Sequence, residues 1–124
     1  MKKIIYSPGE PSGIGPDLII KLSSSKLWEN LKIPIVSIGD PKLFIDRATL
    51  LKKKIKIVEL ESLYEVSKNT KGLIQIIKVT KCSNTRPGKL SKRNAQYVLD
   101  NLTYSIKQTM QNEGTALVTG PLSK

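Results

Sequence analysis

The stretch GEPSGIGPD, from Gly9 to Asp17, is the part of this sequence whose residue types could do chemistry. Its glycines at positions 9, 13 and 15 allow close backbone approach to a ligand, and Glu10 adds a carboxylate. A tight turn that merely needs glycines is the plainer interpretation. Three glycines, two prolines and an acid in nine residues exceed what a turn requires. The pattern therefore favours a ligand-facing loop.

Two common phosphate-binding loops do not fit this stretch. No Gly-Lys-Ser/Thr follows it, which excludes a P-loop. Gly13-Ile14-Gly15 is followed by Pro16 and Asp17 rather than by a third glycine. Pro16 removes a helix-start N–H, and the Asp17 carboxylate would repel a pyrophosphate. Asp40, where a ribose-binding acid would sit, is better explained as the cap of a helix.

Two other stretches could contribute to a site. Thr119-Gly120-Pro121 follows an apolar run, and Lys124 comes about one turn later, so that a hydroxyl and a cation could meet at one sheet edge. Lys124 could bind a phosphate as a point charge, although a lysine there could equally be solvated. Arg86 to Ser91, RPGKLS, is either a basic substrate loop or a plain loop with a capping serine.

The composition excludes several classes of chemistry. The 124 residues contain no His and one cysteine, Cys82. The chain therefore cannot supply a Ser-His-Asp triad, a Cys-His pair or an imidazole metal ligand. A single cysteine cannot form an internal disulfide, which predicts a reducing, cytoplasmic setting. No apolar run is long enough for a signal peptide or a membrane span.

The formal charge of +11 raises the question of a nucleic-acid partner. Basic residues cluster at Lys52, Lys53, Lys54 and Lys56, and again between Glu65 and Asp100, where no acid occurs. Neither cluster contains an aromatic residue between its basic members that could stack on bases, and Lys outnumbers Arg. We interpret most of the charge as solvated surface and do not expect nucleic acid as a partner.

Strands and helices alternate along the chain. Apolar runs predict strands at Ile4–Tyr6, Ile33–Ile38, Leu73–Val79 and Ala116–Val118. Ile55, Ile57 and Leu60 alternate with polar residues, which predicts a further strand with one exposed face. Pro16 opens a first helix that ends near Ser23, and Asp40-Pro41 caps a second, with Leu43, Phe44, Ala48 and Leu51 as its apolar stripe. Ser91 is predicted to cap the clearest helix, whose apolar positions are Ala95, Val98, Leu99, Leu102, Ile106 and Met110, with Gly114 closing it.

This alternation predicts an α/β fold, with a mainly parallel sheet and helices on both faces. Ligands bind such sheets where strands end and helices begin. Residues 1–124 are expected to form a single segment without an internal boundary. Because a strand and a Gly-Pro turn end the sequence where another helix should begin, we expect a truncated domain.

The motifs together resemble the PdxA family, 4-hydroxythreonine-4-phosphate dehydrogenases of vitamin B6 synthesis. The similarity begins at Tyr6-Ser7-Pro8 and GEPSGIGPD and continues through PGKLS and Asn94. It ends with VTGPLSK, Val118 to Lys124. Ala95 stands where the family commonly has Gly. The resemblance covers the whole chain but only the N-terminal part of a family member.

The resemblance implies a fold like that of isocitrate and isopropylmalate dehydrogenases and an NAD- or NADP-dependent, divalent-metal-assisted oxidation. The secondary alcohol of 4-phosphooxy-threonine is oxidised, and the β-keto acid formed loses carbon dioxide. The complete enzyme would be a two-domain homodimer. The metal-binding histidines and the basic residues that hold substrate would lie beyond this sequence.

Site residues follow from the same resemblance. Gly9, Glu10, Gly13 and Gly15 would shape the loop facing the cleft, and Asp17 would fix the start of the helix. Thr119 and Lys124 would line the same cleft, with Lys124 aiding proton transfer or anchoring phosphate. The alternative is a small basic α/β domain that binds anions or nucleic acid without catalysis.

Overall fold

The computed structural model describes residues 2–82 and 94–120. Its strands are β1 (Lys3–Ser7), β2 (Ile35–Ile38), β3 (Lys56–Leu60), β4 (Leu73–Ile77) and β5 (Thr115–Thr119). Its α-helices are α1 (Gly15–Ser23), α2 (Lys26–Asn30), α3 (Pro41–Leu50) and α4 (Ala95–Gln111), and a 3₁₀ turn covers Leu63–Glu65. All five predicted strands are present, and α2 is an element that the sequence pattern did not indicate.

The five strands form one sheet in the order β3-β4-β2-β1-β5, and every neighbouring pair is parallel. Parallel neighbours need crossover connections. α-Helices lie in each of these connections except the one from β3 to β4, which runs through the 3₁₀ turn. All strands therefore end at one edge of the sheet, called the carboxyl edge below. The predicted parallel α/β class is confirmed, with helices on both faces.

Side chains on alternate strand positions divide the core into two layers. On one face α1, α2 and α3 contribute Ile20, Trp28 and Phe44, which pack with Ile74 and Ile76 of β4. On the other face, Ile5 and Val36 belong to a second cluster with Leu63 of the 3₁₀ turn, and Tyr104 of α4 packs against this cluster. Burial on both faces explains why β1, β2 and β4 are nearly continuous apolar runs, whereas the outer strands β3 and β5 are partly exposed.

Helix α4 differs from the pattern read in the sequence. Leu99, Ile106 and Met110, predicted members of its apolar stripe, are 55%, 43% and 82% exposed. The face that is buried consists of Tyr97, Asn101 and Ser105. Small and hydrogen-bonding side chains on that face let the helix lie close to β1 and β5. The predicted capping serine, Ser91, lies outside the described residues.

No helix within residues 2–82 and 94–120 is long and apolar enough to cross a membrane.

Candidate functional site

The glycine-rich loop lies at the carboxyl edge, between β1 and α1. Gly9 has a φ of +85°, a conformation that favours glycine. The Gly13 N–H donates to the Glu10 carbonyl over 3.0 Å, and the Ser12 hydroxyl donates to the Glu10 carboxylate over 3.2 Å. The loop is thus folded on itself around Glu10, whose side chain is half-buried.

The carbonyl of Pro8 joins two of the predicted site segments. A Cβ atom on Gly15 would lie 1.8 Å from the Pro8 oxygen, and one on Gly120 would lie 2.2 Å from the same oxygen. The Gly120 N–H also donates to the Ser7 carbonyl over 2.7 Å. The start of α1 and the end of β5 therefore meet at the end of β1, although more than 100 residues separate them in the sequence.

Two buried side chains hold the loop from the core side. The Tyr6 hydroxyl donates to the Gly15 carbonyl over 2.8 Å, and burial raises the pKa of Tyr6, which keeps the hydroxyl protonated as a donor. The Arg47 guanidinium, 3% exposed, donates to the Pro11 and Gly13 carbonyls and to the Asp17 carboxylate.

Arg47 was missed by the sequence analysis, although a signal for it exists. It stands four residues after Leu43 and three after Phe44, in the middle of the predicted apolar stripe of α3. A charge at such a position must have a buried partner. The partner is Asp17, at 2.7 Å. Asp17 does lie in the first turn of α1, as expected, and its charge is balanced by Arg47.

Asp40 has the capping role predicted for it. One carboxylate oxygen accepts from the Lys42 N–H at 3.1 Å, and the other accepts from the Cys82 N–H at 2.8 Å. The Asp40 N–H donates to the Tyr97 hydroxyl oxygen over 2.9 Å. Asp40 thus connects the end of β2 to the segment after β4 and to the start of α4.

The structure brings six predicted site residues to the same edge of the sheet: Gly9, Glu10, Gly13, Gly15, Asp17 and Thr119. Thr119 is exposed at the end of β5, next to Gly120. Beside it, a cavity of about 280 Å³ separates β5 from α1 and is lined chiefly by apolar side chains such as Leu18 and Val118. Lys124 and the RPGKLS stretch lie outside the described residues.

The described residues do not supply the metal site that the resemblance implies, and the start of α1 does not resemble a pyrophosphate-binding helix. No group of three His, Cys, Asp or Glu side chains that could hold a metal ion occurs within residues 2–82 and 94–120. At the start of α1, Pro16 lacks an N–H and the Asp17 carboxylate faces Arg47. This helix start therefore has one N–H donor fewer than usual and an acidic side chain in its first turn, which makes it a poor pyrophosphate site.

The lysine cluster lies at the opposite edge of the sheet. Lys54, Lys56 and Lys71 line a shallow groove of about 630 Å³ near the starts of β3 and β4, without an aromatic side chain. The basic surface and the glycine-rich loop are therefore separate features of this fold.

The close approach of Gly15 to the Pro8 carbonyl can be tested by adding a methyl group at position 15. Gly15→Ala should destabilise the chain by more than about 3 kcal/mol, because the new methyl group would displace the Pro8 carbonyl. Gly13→Ala is the matched control, since its Cβ would lie 3.3 Å from the nearest atom, the Glu10 oxygen. We expect a change within about 1 kcal/mol for this control. Urea unfolding of the three chains measures both, and equal effects would contradict the packing described here.

The thiol of Cys82 gives a test of the electrostatics. Burial, followed by the carboxylates of Asp40 and Glu10, raises its pKa from 9.0 to about 12, although Arg47 acts in the opposite direction. Because the thiolate is the reactive form, alkylation by iodoacetamide at pH 8 should be roughly 1000-fold slower than in the urea-unfolded chain. Glu10→Gln removes a negative charge and should accelerate the reaction, whereas Glu113→Gln, far from the thiol, should not. A native rate equal to the unfolded rate would refute the raised pKa.

Comparison with known proteins identifies relatives of this chain. The family of pyridoxal phosphate biosynthetic protein PdxA matches residues 30–124. A 4-hydroxythreonine-4-phosphate dehydrogenase of Citrobacter koseri is 32% identical over 124 residues, and one of Shewanella frigidimarina is 34% identical over 123. These matches cover 100% and 99% of this chain and 36% of each relative, so the chain spans about a third of their length.

Solved structures show the same fold. A 4-hydroxythreonine-4-phosphate dehydrogenase from Burkholderia phymatum superposes with a TM-score of 0.87 at 19% identity, and one from Klebsiella pneumoniae with 0.86 at 22%. All of this chain is covered in both comparisons, against 37% and 38% of the solved chains. The family match over most of the sequence, together with this fold, shows that the chain belongs to the PdxA family.

Proposed function

We propose that this chain forms one wall of the active site of a 4-hydroxythreonine-4-phosphate dehydrogenase. The observation that carries the proposal is the meeting of its two best-described motifs at the Pro8 carbonyl. The glycine-rich loop and the end of β5 are distant in sequence, and they adjoin at the edge where parallel α/β sheets bind ligands. The relatives in this family carry that activity in their names.

The reaction proposed is oxidation of the secondary alcohol of 4-phosphooxy-threonine, followed by loss of carbon dioxide. NAD or NADP would accept the hydride, and a divalent metal ion would act as the Lewis acid. The metal ligands are expected outside this chain, as the resemblance implies, and no residue of this chain is assigned to the dinucleotide. The proposal also includes a homodimeric, two-domain enzyme in the cytoplasm.

Within this proposal the described residues position and enclose the substrate. The glycine-rich loop offers backbone surface without side chains at the crevice, and the half-buried Glu10 carboxylate gives that surface a negative charge. Thr119 adds a hydroxyl at the neighbouring strand end. Lys124 is proposed as a proton-transfer or phosphate-anchoring residue, on its place in the sequence shortly after Thr119 and on the family resemblance.

A chimera tests the proposal. Residues 1–124 would replace the matching third of the Citrobacter koseri relative, and turnover of 4-phosphooxy-threonine would be followed by nicotinamide absorbance with added divalent metal. We expect measurable turnover that Lys124→Ala lowers by about 100-fold or more, a loss typical for a proton-transfer group. Lys107→Ala, on the exposed surface of α4, is the control and should leave turnover unchanged.

Two outcomes would count against this function. A correctly folded chimera without turnover would contradict the dehydrogenase assignment. Salt-sensitive binding of the 124-residue chain to a mixed-sequence DNA or RNA duplex, with no turnover in the chimera, would favour the alternative of a basic anion-binding domain.

A further inference from the structure

Arg47 is a buried charge whose surroundings are built around it. Its side chain is 3% exposed, and it projects from the core side of α3 among Leu43, Phe44 and Ala48. A guanidinium at such a place is costly to bury unless each part of it finds an acceptor. The hydrogen-bond partners of Arg47 therefore indicate its structural role.

Those partners belong to the glycine-rich loop and the first turn after it. Nη1 donates to the Gly13 carbonyl over 2.9 Å and to the Asp17 carboxylate over 2.7 Å, and Nη2 donates to the Pro11 carbonyl over 2.5 Å. An ion pair alone would have needed only Asp17. The planar, forked donor set of arginine fixes two backbone carbonyls at the same time, which a point charge does less well.

The two carbonyls belong to the turn that begins at Glu10. Gly13 closes this turn through its N–H bond to the Glu10 carbonyl, and Pro11 follows Glu10 directly. The position of Glu10 relative to the sheet is thereby tied to α3. Tyr6 holds the next part of the loop through the Gly15 carbonyl, so the loop is fixed from the core side at successive points.

We propose that Arg47 is the positioning residue of the glycine-rich loop. It holds the Pro11 and Gly13 carbonyls so that Gly9 and Glu10 keep a fixed place at the carboxyl edge. The inference rests on the proposed function, in which this loop is a wall of the active site. Arg47 itself touches no substrate; it acts through the loop backbone.

Hydrogen–deuterium exchange of the 124-residue chain tests this role without any need for turnover. In Arg47→Met, amides in residues 9–15 should exchange at least about tenfold faster, whereas those of β4 should keep their wild-type rate. Arg47→Lys, which retains a charge and donors, should recover part of the protection. Lys42→Met removes an exposed charge from the same helix and should change nothing.

Asp17→Asn separates the carbonyl contacts from the ion pair. Because the Pro11 and Gly13 carbonyls keep their donor, exchange in residues 9–13 should stay within about threefold of wild type. Loop acceleration equal to that of Arg47→Met would show that the ion pair alone holds the loop, and would overturn the proposal.

Two further results would also overturn it. Unchanged loop exchange in Arg47→Met would show that the contacts do not position the loop. Equal acceleration in the loop and in β4 would show a general loss of stability. In an active chimera, Arg47→Met should lower kcat and Arg47→Lys should restore part of it. A chimera that is inactive while the exchange pattern holds would contradict the proposed function and leave the role of Arg47 supported.

Discussion

The carbonyl of Pro8 is the contact on which the arrangement of the site depends. It fills the space that a side chain would need at Gly15 and at Gly120, so three pieces of backbone approach within van der Waals distance. The start of α1 and the end of β5 can approach the Pro8 carbonyl this closely only because Gly15 and Gly120 carry no Cβ atom. This explains in physical terms why glycines recur in both motifs, since the constraint at these two positions is space rather than a left-handed backbone.

Two buried side chains extend this backbone contact into the rest of the domain. Arg47 connects α3 to the glycine-rich loop, and Asp40 connects the end of β2 to the segment after β4 and to α4. Both charged side chains form hydrogen bonds with backbone groups, and Arg47 also forms an ion pair with Asp17. These contacts provide hydrogen-bond partners for backbone groups at the ends of the loops. Buried backbone donors and acceptors usually need such partners. Within residues 2–82 and 94–120, the backbone at the carboxyl edge is thus held by hydrogen bonds to buried side chains.

The sequence predicted those features that depend on local pattern. The apolar runs of the strands and the Asp40-Pro41 helix start each follow from neighbouring residues, and the parallel sheet follows from their alternation. The strand order and the partner of Arg47 depend on residues 30 or more positions away in the sequence. A local sequence pattern therefore cannot predict them. The short helix around Trp28 was missed because five residues are too few to show a period.

Helix α4 shows a different limit of sequence reasoning. Its apolar residues are spaced as a helix requires, but Leu99 and Met110 are exposed, while Asn101 and Ser105 are buried. Periodicity identified the helix correctly and did not identify the face that contacts the sheet. Close approach to β1 and β5 selects small or hydrogen-bonding residues there, and an average hydrophobicity pattern does not register that preference.

We propose that the catalytic crevice of the complete enzyme lies at the carboxyl edge, against the glycine-rich loop and the end of β5. A crystal structure of the chimera with 4-phosphooxy-threonine bound tests this claim most directly. The account predicts that the bound substrate contacts the backbone of Gly9 and Glu10, or the Thr119 hydroxyl. Substrate bound without contact to either segment, for example at the lysine-lined groove on the opposite edge, would contradict it.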